Sequence, residues 1–171
     1  RNILRVSIIL TITVLIGVTV WFNLTSGTKA VEGGDEAVDF KLTTLEGEEI
    51  QLSKLTEDKG VILNFWGTWC KPCREEMPDM NDIYTEGHED YEIVAVNVGE
   101  NEQQIRQFIS GLDANLEFPI ALDQSKSVTE AYNIGPLPTT IAVNKEGIIV
   151  KKQEYQLTHD DINAFISEST E

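Results

Sequence analysis

The chain reads VILNFWGTWCKPC from residue 61 to residue 73, and this stretch decides the fold. Its first six residues are mostly apolar, branched or aromatic, which is typical of a strand buried on both faces of a sheet. Gly67 ends the strand, and Pro72 favours the first turn of a helix. Cys70 and Cys73 therefore lie where a strand gives way to a helix.

The position of Cys70 at the start of a helix predicts its chemistry. Unpaired backbone N–H groups and the positive end of the helix dipole favour the thiolate, which is the nucleophilic form of cysteine. We expect Cys70 to attack a substrate disulfide and Cys73 to resolve the mixed disulfide by attacking Cys70. The products are a reduced substrate and a Cys70–Cys73 bond, and no cofactor besides this cysteine pair is expected.

Two alternatives give the cysteines a structural role. A structural disulfide that closes a four-residue loop would stabilise the fold by only about 2 kcal/mol. A structural zinc ion needs four ligands, and His88 and His159 are the only other non-acidic candidates, neither at zinc-finger spacing. His88 lies in a polar loop, where a solvated surface residue is the expectation. A redox-active pair explains the pattern better than either alternative.

The flanking sequence predicts an α/β domain with a mixed central sheet flanked by helices. Alternating polar and apolar residues predict an N-terminal hairpin from 39–42 and 49–52. Further strands are predicted at 92–98, 118–122, 139–143 and 148–150. Helices are predicted at 72–86 with a kink at Pro78, at 127–132, and after caps at Asn101 and Thr158.

Residues 6–24 form an uncharged run of 19 residues. A helix of this length, at about 1.5 Å per residue, matches the ~30 Å hydrocarbon core of a bilayer. Arg1 and Arg5 precede the run, so the positive-inside rule puts the N-terminus in the cytoplasm and the rest of the chain outside the cell membrane. A cleaved signal peptide is the alternative, but its apolar region usually has about 7 to 15 residues and a small-residue cleavage site.

We therefore divide the chain into a cytoplasmic stub (1–5), a single transmembrane anchor (6–24), a polar linker (25–36) and one folded domain (37–171). Residues 31–171 carry ten basic and 29 acidic residues, a net charge of −19. This charge excludes a basic nucleic-acid binder. It indicates a solvated surface rather than a specific cationic partner.

Three motifs resemble the thioredoxin superfamily and, more closely, the ResA/TlpA-like membrane-anchored thiol-disulfide oxidoreductases. They are NFWGTWCKPCREEMP at 64–78, AVNV at 95–98 and GPLPTT at 135–140. The resemblance extends from Val38 to nearly the end of the chain, and 99–123 is similar to a helix and strand inserted in this family. It implies a thioredoxin-like fold and reduction of apocytochrome c before haem attachment, with electrons from a CcdA-type membrane partner.

The resemblance also implies roles for individual residues. Cys70 matches the attacking thiol of the family, Cys73 the resolving thiol, and Pro138 the cis-proline that faces them. The backbone of Leu137 would then pair with an extended substrate segment, as in strand addition. Trp69 would either contact the substrate or pack in the interior.

Glu76 matches a carboxylate that shapes the site in ResA-like proteins. A carboxylate near two sulfurs raises thiol pKa values and can transfer protons. It makes a dithiol more reducing, whereas Lys71 between the cysteines acts in the opposite direction, and the sequence does not rank the two. Asn64 stands where thioredoxins carry a buried Asp, and because Asn does not exchange a proton, Glu76 is expected to do so.

Three other functions share parts of this pattern. An oxidase or isomerase for other envelope or spore proteins would use the same chemistry in another direction. A peroxidase would need a Pro and a Thr ahead of its cysteine, whereas Gly67 and Thr68 precede Cys70 here without the Pro. A Sco-like copper chaperone would add a distant His, for which His159 is the candidate. The two cysteines of such a chaperone are separated by three residues, however, rather than by two as here. A reductase is the function that we expect.

Overall fold

The computed structural model describes residues 10–20, 33–112 and 114–171. Residues 10–20 are helical (α1). Within these described ranges, no helix is both long and apolar enough to cross a membrane. The predicted cytoplasmic stub, both ends of the predicted anchor and most of the predicted linker lie outside the described residues.

A mixed five-stranded sheet forms the centre of the domain, in the order β5-β4-β3-β6-β7. The described strands are β1 (Lys41–Thr43), β2 (Glu49–Gln51), β3 (Gly60–Trp66), β4 (Tyr91–Val98), β5 (Ile120–Asp123), β6 (Thr139–Val143) and β7 (Ile149–Glu154). β3 is parallel to β4 and antiparallel to β6, and all seven of its residues are buried. The prediction that VILNFW forms a central strand is confirmed.

The predicted N-terminal hairpin forms, but outside the central sheet. β1 and β2 pair antiparallel as a separate two-stranded sheet, with Leu42 opposite Ile50. Gly47 in the connecting turn has a φ of 87°, a conformation that glycine adopts without steric cost. An isolated bridge from Thr44 to Ala121 attaches the hairpin to β5.

Five helices follow α1 in the described chain. They are α2 (Leu52–Leu55), α3 (Lys71–Glu86), α4 (Glu102–Ile109), α5 (Ser127–Ala131) and α6 (His159–Thr170). Both predicted caps form as complete capping boxes, at Asn101 and Thr158. α3 runs through Pro78 and ends at Gly87, and the kink at Pro78 stays a prediction. The predicted inserted helix and strand are α4 and β5, whereas the sequence did not predict α2.

The two faces of the sheet carry separate apolar layers. Because alternate residues of a strand point to opposite faces, Ile62 and Trp66 pack in one layer with residues of α3, α4 and α6. Val61, Leu63 and Phe65 pack in the other layer with residues of the hairpin and α5. Asn64 has the same parity as Ile62 and Trp66, so it points towards α3.

The strand register brings three chain segments to one edge of the sheet. Trp66, the last residue of β3, lies opposite Asn97 on parallel β4. Phe65 lies opposite Thr139, the first residue of antiparallel β6. The turn after β3, the turn after β4 and the residue before β6 therefore meet where the two cysteines lie.

Candidate active site

Cys70 and Cys73 form a disulfide at the beginning of α3, with an S–S distance of 2.05 Å and a Cα–Cα distance of 5.3 Å. Cys70 is the N-cap of the helix, and its Sγ accepts a hydrogen bond from the backbone N–H of Cys73 at 3.2 Å. Both residues are buried, Cys73 completely. The Cys70 sulfur thus has the helix N-terminal contact that stabilises a thiolate when the bond is reduced.

The turn that precedes Cys70 is tight and exposes an aromatic ring. The backbone N–H of Cys70 donates to the carbonyl of Gly67 at 3.0 Å. A Cβ at Gly67 would approach Nε1 of Trp69 to 2.9 Å, so glycine gives the indole room to lie over the turn. Trp69 is 69% exposed, which excludes the interior packing role. Its ring is a surface feature next to the disulfide.

The peptide bond between Leu137 and Pro138 is cis. Pro138 is buried and Leu137 half-buried, and both immediately precede β6. The Pro138 carbonyl accepts a hydrogen bond from the backbone N–H of Tyr155 at 2.7 Å. The Leu137 backbone has no hydrogen-bond partner among the described residues. Its N–H and C=O groups are therefore available to an added strand.

The Glu76 carboxylate is completely buried one helical turn after Cys73. Its Oε1 accepts from Nδ2 of Asn64 and its Oε2 from the backbone N–H of Leu157, both at 2.9 Å. Burial raises the pKa of Glu76 from its ordinary 4.5 to about 7, although the hydrogen bonds from Leu157 and Asn64 act to lower it. Glu76 can therefore gain or lose a proton near neutral pH, as a proton-transfer group must.

Comparison with known proteins identifies the family of this chain. Residues 33–152 match the AhpC/TSA family. The chain is 43% identical over 164 residues to the thiol-disulfide oxidoreductase ResA of Halalkalibacterium halodurans, an alignment that covers 95% of this chain and 92% of that protein. This chain belongs to the ResA family of thiol-disulfide oxidoreductases.

A second relative and a solved structure agree with this assignment. ResA of Bacillus subtilis is 38% identical over 168 residues, which cover 98% of this chain and 92% of that protein. The crystal structure of StoA from Bacillus subtilis superposes with a TM-score of 0.66 at 29% identity and covers 80% of this chain and 98% of that one. The predicted thioredoxin-like fold is confirmed, and the chain is a thiol-disulfide oxidoreductase.

Asn64 connects Glu76 to the sheet of this ResA-family chain. Its Nδ2 donates to Glu76 and also to Oγ1 of Thr140 at 3.1 Å, while its buried Oδ1 has no partner in the described structure. An amide carries a donor on one side and an acceptor on the other. Rotation of the Asn64 amide would present Oδ1 to the O–H of a neutral Glu76, so one residue can serve both protonation states.

The opposing charges of Lys71 and Glu76 lie in different surroundings. The Lys71 side chain is 85% exposed, and its Nζ lies 3.6 Å from Oε1 of Glu75. An exposed and paired charge is screened by water and salt, whereas a buried charge is not. Water and salt therefore screen the Lys71 charge more strongly than a charge on the buried Glu76.

Two residues at this edge of the sheet were not predicted. Glu100, directly after β4, is buried, and its carboxylate accepts hydrogen bonds from Thr68 in the active-site turn. Tyr155, directly after β7, is 66% exposed and has a φ of 71°, a conformation that is uncommon for a bulky residue. Neither carries a local sequence signal, because an acidic residue after a glycine and a tyrosine after a polar strand are typical of ordinary surface loops.

The contacts of the two histidines in the described structure are with residues other than the cysteines. His159 begins α6, is exposed and has its Nδ1 at 3.1 Å from Nδ2 of Asn163. His88 is half-buried, because its ring stacks on Tyr84 with 3.9 Å between centroids, so the expectation of a solvated His88 is wrong. No group of three or more His, Cys, Asp or Glu side chains in the described ranges is arranged to hold a metal ion.

Proposed function

We propose that this chain is an extracytoplasmic reductase that opens protein disulfides by dithiol exchange. The observation that supports reduction is the buried Glu76 one turn after Cys73, whereas Lys71 between the cysteines is exposed. A carboxylate that destabilises thiolates lowers the reduction potential of a dithiol. We place the potential nearer to the ~−270 mV of thioredoxin than to the ~−120 mV of the oxidant DsbA.

The reaction proceeds in two exchange steps. In the first, the Cys70 thiolate attacks one sulfur of the substrate disulfide, the substrate bond breaks, and the leaving thiolate takes up a proton. In the second, the Cys73 thiolate attacks the Cys70 sulfur, which releases the second substrate thiol and re-forms the Cys70–Cys73 bond. Two electrons and two protons pass to the substrate. Glu76 accepts the proton of the buried Cys73 thiol before the second step.

An extended substrate segment would lie across three features around the disulfide. The Leu137 backbone offers N–H and C=O groups for strand addition. Trp69 and Tyr155 are the exposed aromatic side chains of the described residues, and both adjoin this edge of the sheet. Aromatic rings supply much of the binding energy of protein interfaces, so the two rings are expected to contact the polypeptide that carries the disulfide.

Replacement of Trp69 by alanine should raise KM for a disulfide-bonded polypeptide by about tenfold, the scale of an aromatic interface residue. The rate with a small disulfide such as oxidised glutathione should change by less than about twofold, because such a molecule buries much less of the ring than a polypeptide does. Steady-state kinetics with both substrates provide the measurement. Val38→Ala is the control, because it removes an exposed apolar side chain next to Tyr132, whose layer is on the face of the sheet opposite to the cysteines. Equal losses on both substrates would contradict a docking role for Trp69.

Localisation and partners complete the proposal. We place a single-pass membrane anchor at 6–24, with its N-terminus in the cytoplasm. A linker at 25–36 then joins it to the catalytic domain, 37–171, on the outer side of the membrane. A CcdA-type membrane protein returns electrons to the oxidised Cys70–Cys73 pair. The proposed substrate is apocytochrome c before haem attachment. These assignments rest on the sequence of residues 1–36 and on the ResA resemblance, and oxidation or isomerisation of other envelope or spore proteins is the second candidate.

Capture of the substrate tests the proposal. Cys73→Ala removes the resolving thiol, so the exchange should stop at a mixed disulfide on Cys70. In membranes that carry the full-length variant, mass spectrometry of the captured protein should identify a polypeptide with the C-x-x-C-H motif of c-type haem attachment. The Cys70→Ala/Cys73→Ala variant, which has no thiol, is the matched control. Capture of other envelope proteins alone would contradict the apocytochrome assignment.

A further inference from the structure

The Glu100 carboxylate is buried against the turn that presents Cys70. Its Oε2 accepts hydrogen bonds from the backbone N–H of Thr68 at 2.7 Å and from Nδ2 of Asn97 at 2.9 Å. Its Oε1 accepts the hydroxyl proton of Thr68. Glu100 is only 9% exposed, and Thr68 lies two residues before Cys70. One carboxylate therefore fixes both the backbone and the side chain of the active-site turn.

The local fold explains why Glu100 reaches this turn. Asn97 lies opposite Trp66 in the parallel pair of β3 and β4, so the chain after each strand leaves the same edge of the sheet. Gly99 has a φ of 74°, which turns the chain back, and the Glu100 N–H donates to Oδ1 of Asn97 at 3.2 Å. The carboxylate is thereby directed at Thr68 rather than at solvent.

The charge of Glu100 has no cationic partner. An ionised carboxylate only accepts hydrogen bonds, and Glu100 accepts them from two N–H groups and one hydroxyl. Within the described part of the chain, no lysine or arginine nitrogen lies within 4.0 Å of it. Thr68 and Cys70 are only two residues apart, which limits their Cα separation to about 7 Å. A buried and unpaired negative charge therefore lies against the turn that leads to Cys70.

We propose that Glu100 is a positioning residue of the exchange reaction, which holds the turn before Cys70 and whose negative charge disfavours the Cys70 thiolate. It makes the dithiol more reducing, as Glu76 does, but acts on the attacking sulfur from a different segment of the chain. The inference rests on the proposed reductase function and deepens it, because it assigns part of the redox balance to a residue outside α3.

Other charged or titratable groups lie on the elements around the active-site turn. They are Lys71, Arg74 and Glu76 on α3, Lys126, whose side chain lies against Gly99, and His159, which is exposed at the beginning of α6. Lys71 is exposed and lies beside Glu75, and Arg74 donates to the carbonyl of Gly111. Glu76 and Glu100 are the buried charges of this group.

Titration of the Cys70 thiol in the full-length chain tests the inference. The Cys73→Ala background isolates this thiol, and its thiolate is followed by ultraviolet absorbance. Glu100→Gln should increase the acid dissociation constant of Cys70 about tenfold, because the opposing charge is removed. With both cysteines present and above the thiol pKa, the equilibrium with a reference dithiol should move about tenfold towards the reduced form, which corresponds to about 30 mV.

Matched variants separate charge from geometry. Glu100→Asp keeps the charge but shortens the side chain, and Thr68→Val removes one donor and keeps the charge, so both should titrate within about twofold of the unaltered Cys70. Glu102→Gln, on the exposed face of α4, controls for the loss of a surface charge. An unchanged titration in Glu100→Gln would overturn the inference, as would a tenfold shift in Glu100→Asp or Thr68→Val.

If Glu100→Gln does not fold, a tenfold titration shift in Glu100→Asp or Thr68→Val would still overturn the inference. The thiol titration and the test of the proposed reductase function can also fail independently of each other. Failure of the unaltered chain to reduce any protein disulfide contradicts the reductase, whereas an active chain with an insensitive thiol titration contradicts only the role of Glu100.

Discussion

Serine in place of Cys70 should lower kcat/KM for the reduction of a protein disulfide by on the order of 10⁴-fold or more, the scale expected when a covalent nucleophile is lost. The hydroxyl has nearly the same shape as the thiol, but it does not ionise near neutral pH and does not form the mixed disulfide. Serine differs from cysteine by a single atom, so this change at the buried start of α3 should leave the fold intact. Thiol release from a disulfide-bonded polypeptide measures the loss.

Cys73→Ser is the informative companion to this variant. It keeps the attacking thiol and loses the resolving one, so it should release one equivalent of substrate thiol and then stop. Continued turnover by Cys70→Ser, or a first equivalent released by Cys70→Ser but not by Cys73→Ser, would contradict the assignment of the attacking sulfur to Cys70.

Glutamine in place of Glu76 should remove a pH dependence of stability that the oxidised chain otherwise shows. In the folded chain the pKa of Glu76 is raised to about 7 by burial, against an ordinary 4.5. A raised pKa means that the folded state binds the proton more tightly than the unfolded state does, which adds to the free energy of unfolding. This contribution is complete below about pH 4.5 and disappears as the pH rises through about 7. Between pH 5 and pH 8 the loss amounts to about 2 to 3 kcal/mol.

Denaturant unfolding of the oxidised protein at pH 5 and pH 8 measures this difference. Glu76→Gln should lack the fall because its amide does not titrate in this range. Glu75→Gln, the change of an exposed neighbour on the same helix, should retain it. Equal pH dependence in the unaltered chain and in Glu76→Gln would show that Glu76 does not carry the proton.

The same substitution should alter the exchange chemistry. Without the carboxylate, the thiol titrations should move to lower pH, because a negative charge no longer opposes the thiolates. The second exchange step should slow by about 10²-fold, the contribution typical of a general base. Stopped-flow decay of a preformed mixed disulfide on Cys70 isolates this step. A normal decay rate in Glu76→Gln would exclude proton transfer by Glu76.

Local sequence signals predicted the elements that carry the cysteines. The unbroken apolar run of β3 indicated a strand buried on both faces, and Pro72 with Gly87 indicated the bounds of α3. The capping box of α4 was similarly visible, because Asn101 and Gln104 are only three residues apart. In each case the residues that decide the structure are near neighbours in the chain, so propensity and periodicity suffice.

The environment of the site could not be read in this way, because it depends on contacts between distant segments. Glu76 has the sequence context of an exposed helix residue, yet it is buried. It accepts hydrogen bonds from Leu157, which is 81 residues away, and from Asn64. Glu100 meets Thr68 across 32 residues, by virtue of the β3–β4 register. Family resemblance pointed to Glu76 but not to Glu100. Charge, burial and proton affinity at this site are properties of the tertiary fold.

The reduction potential of the Cys70–Cys73 pair tests the central claim most directly. The full-length chain would be equilibrated with redox buffers of known potential, and the fraction of free thiol read by alkylation and mass spectrometry. We predict a potential nearer to the ~−270 mV of thioredoxin than to the ~−120 mV of DsbA. A value near that of DsbA, or a bond that stays closed in excess dithiothreitol, would contradict a reductase.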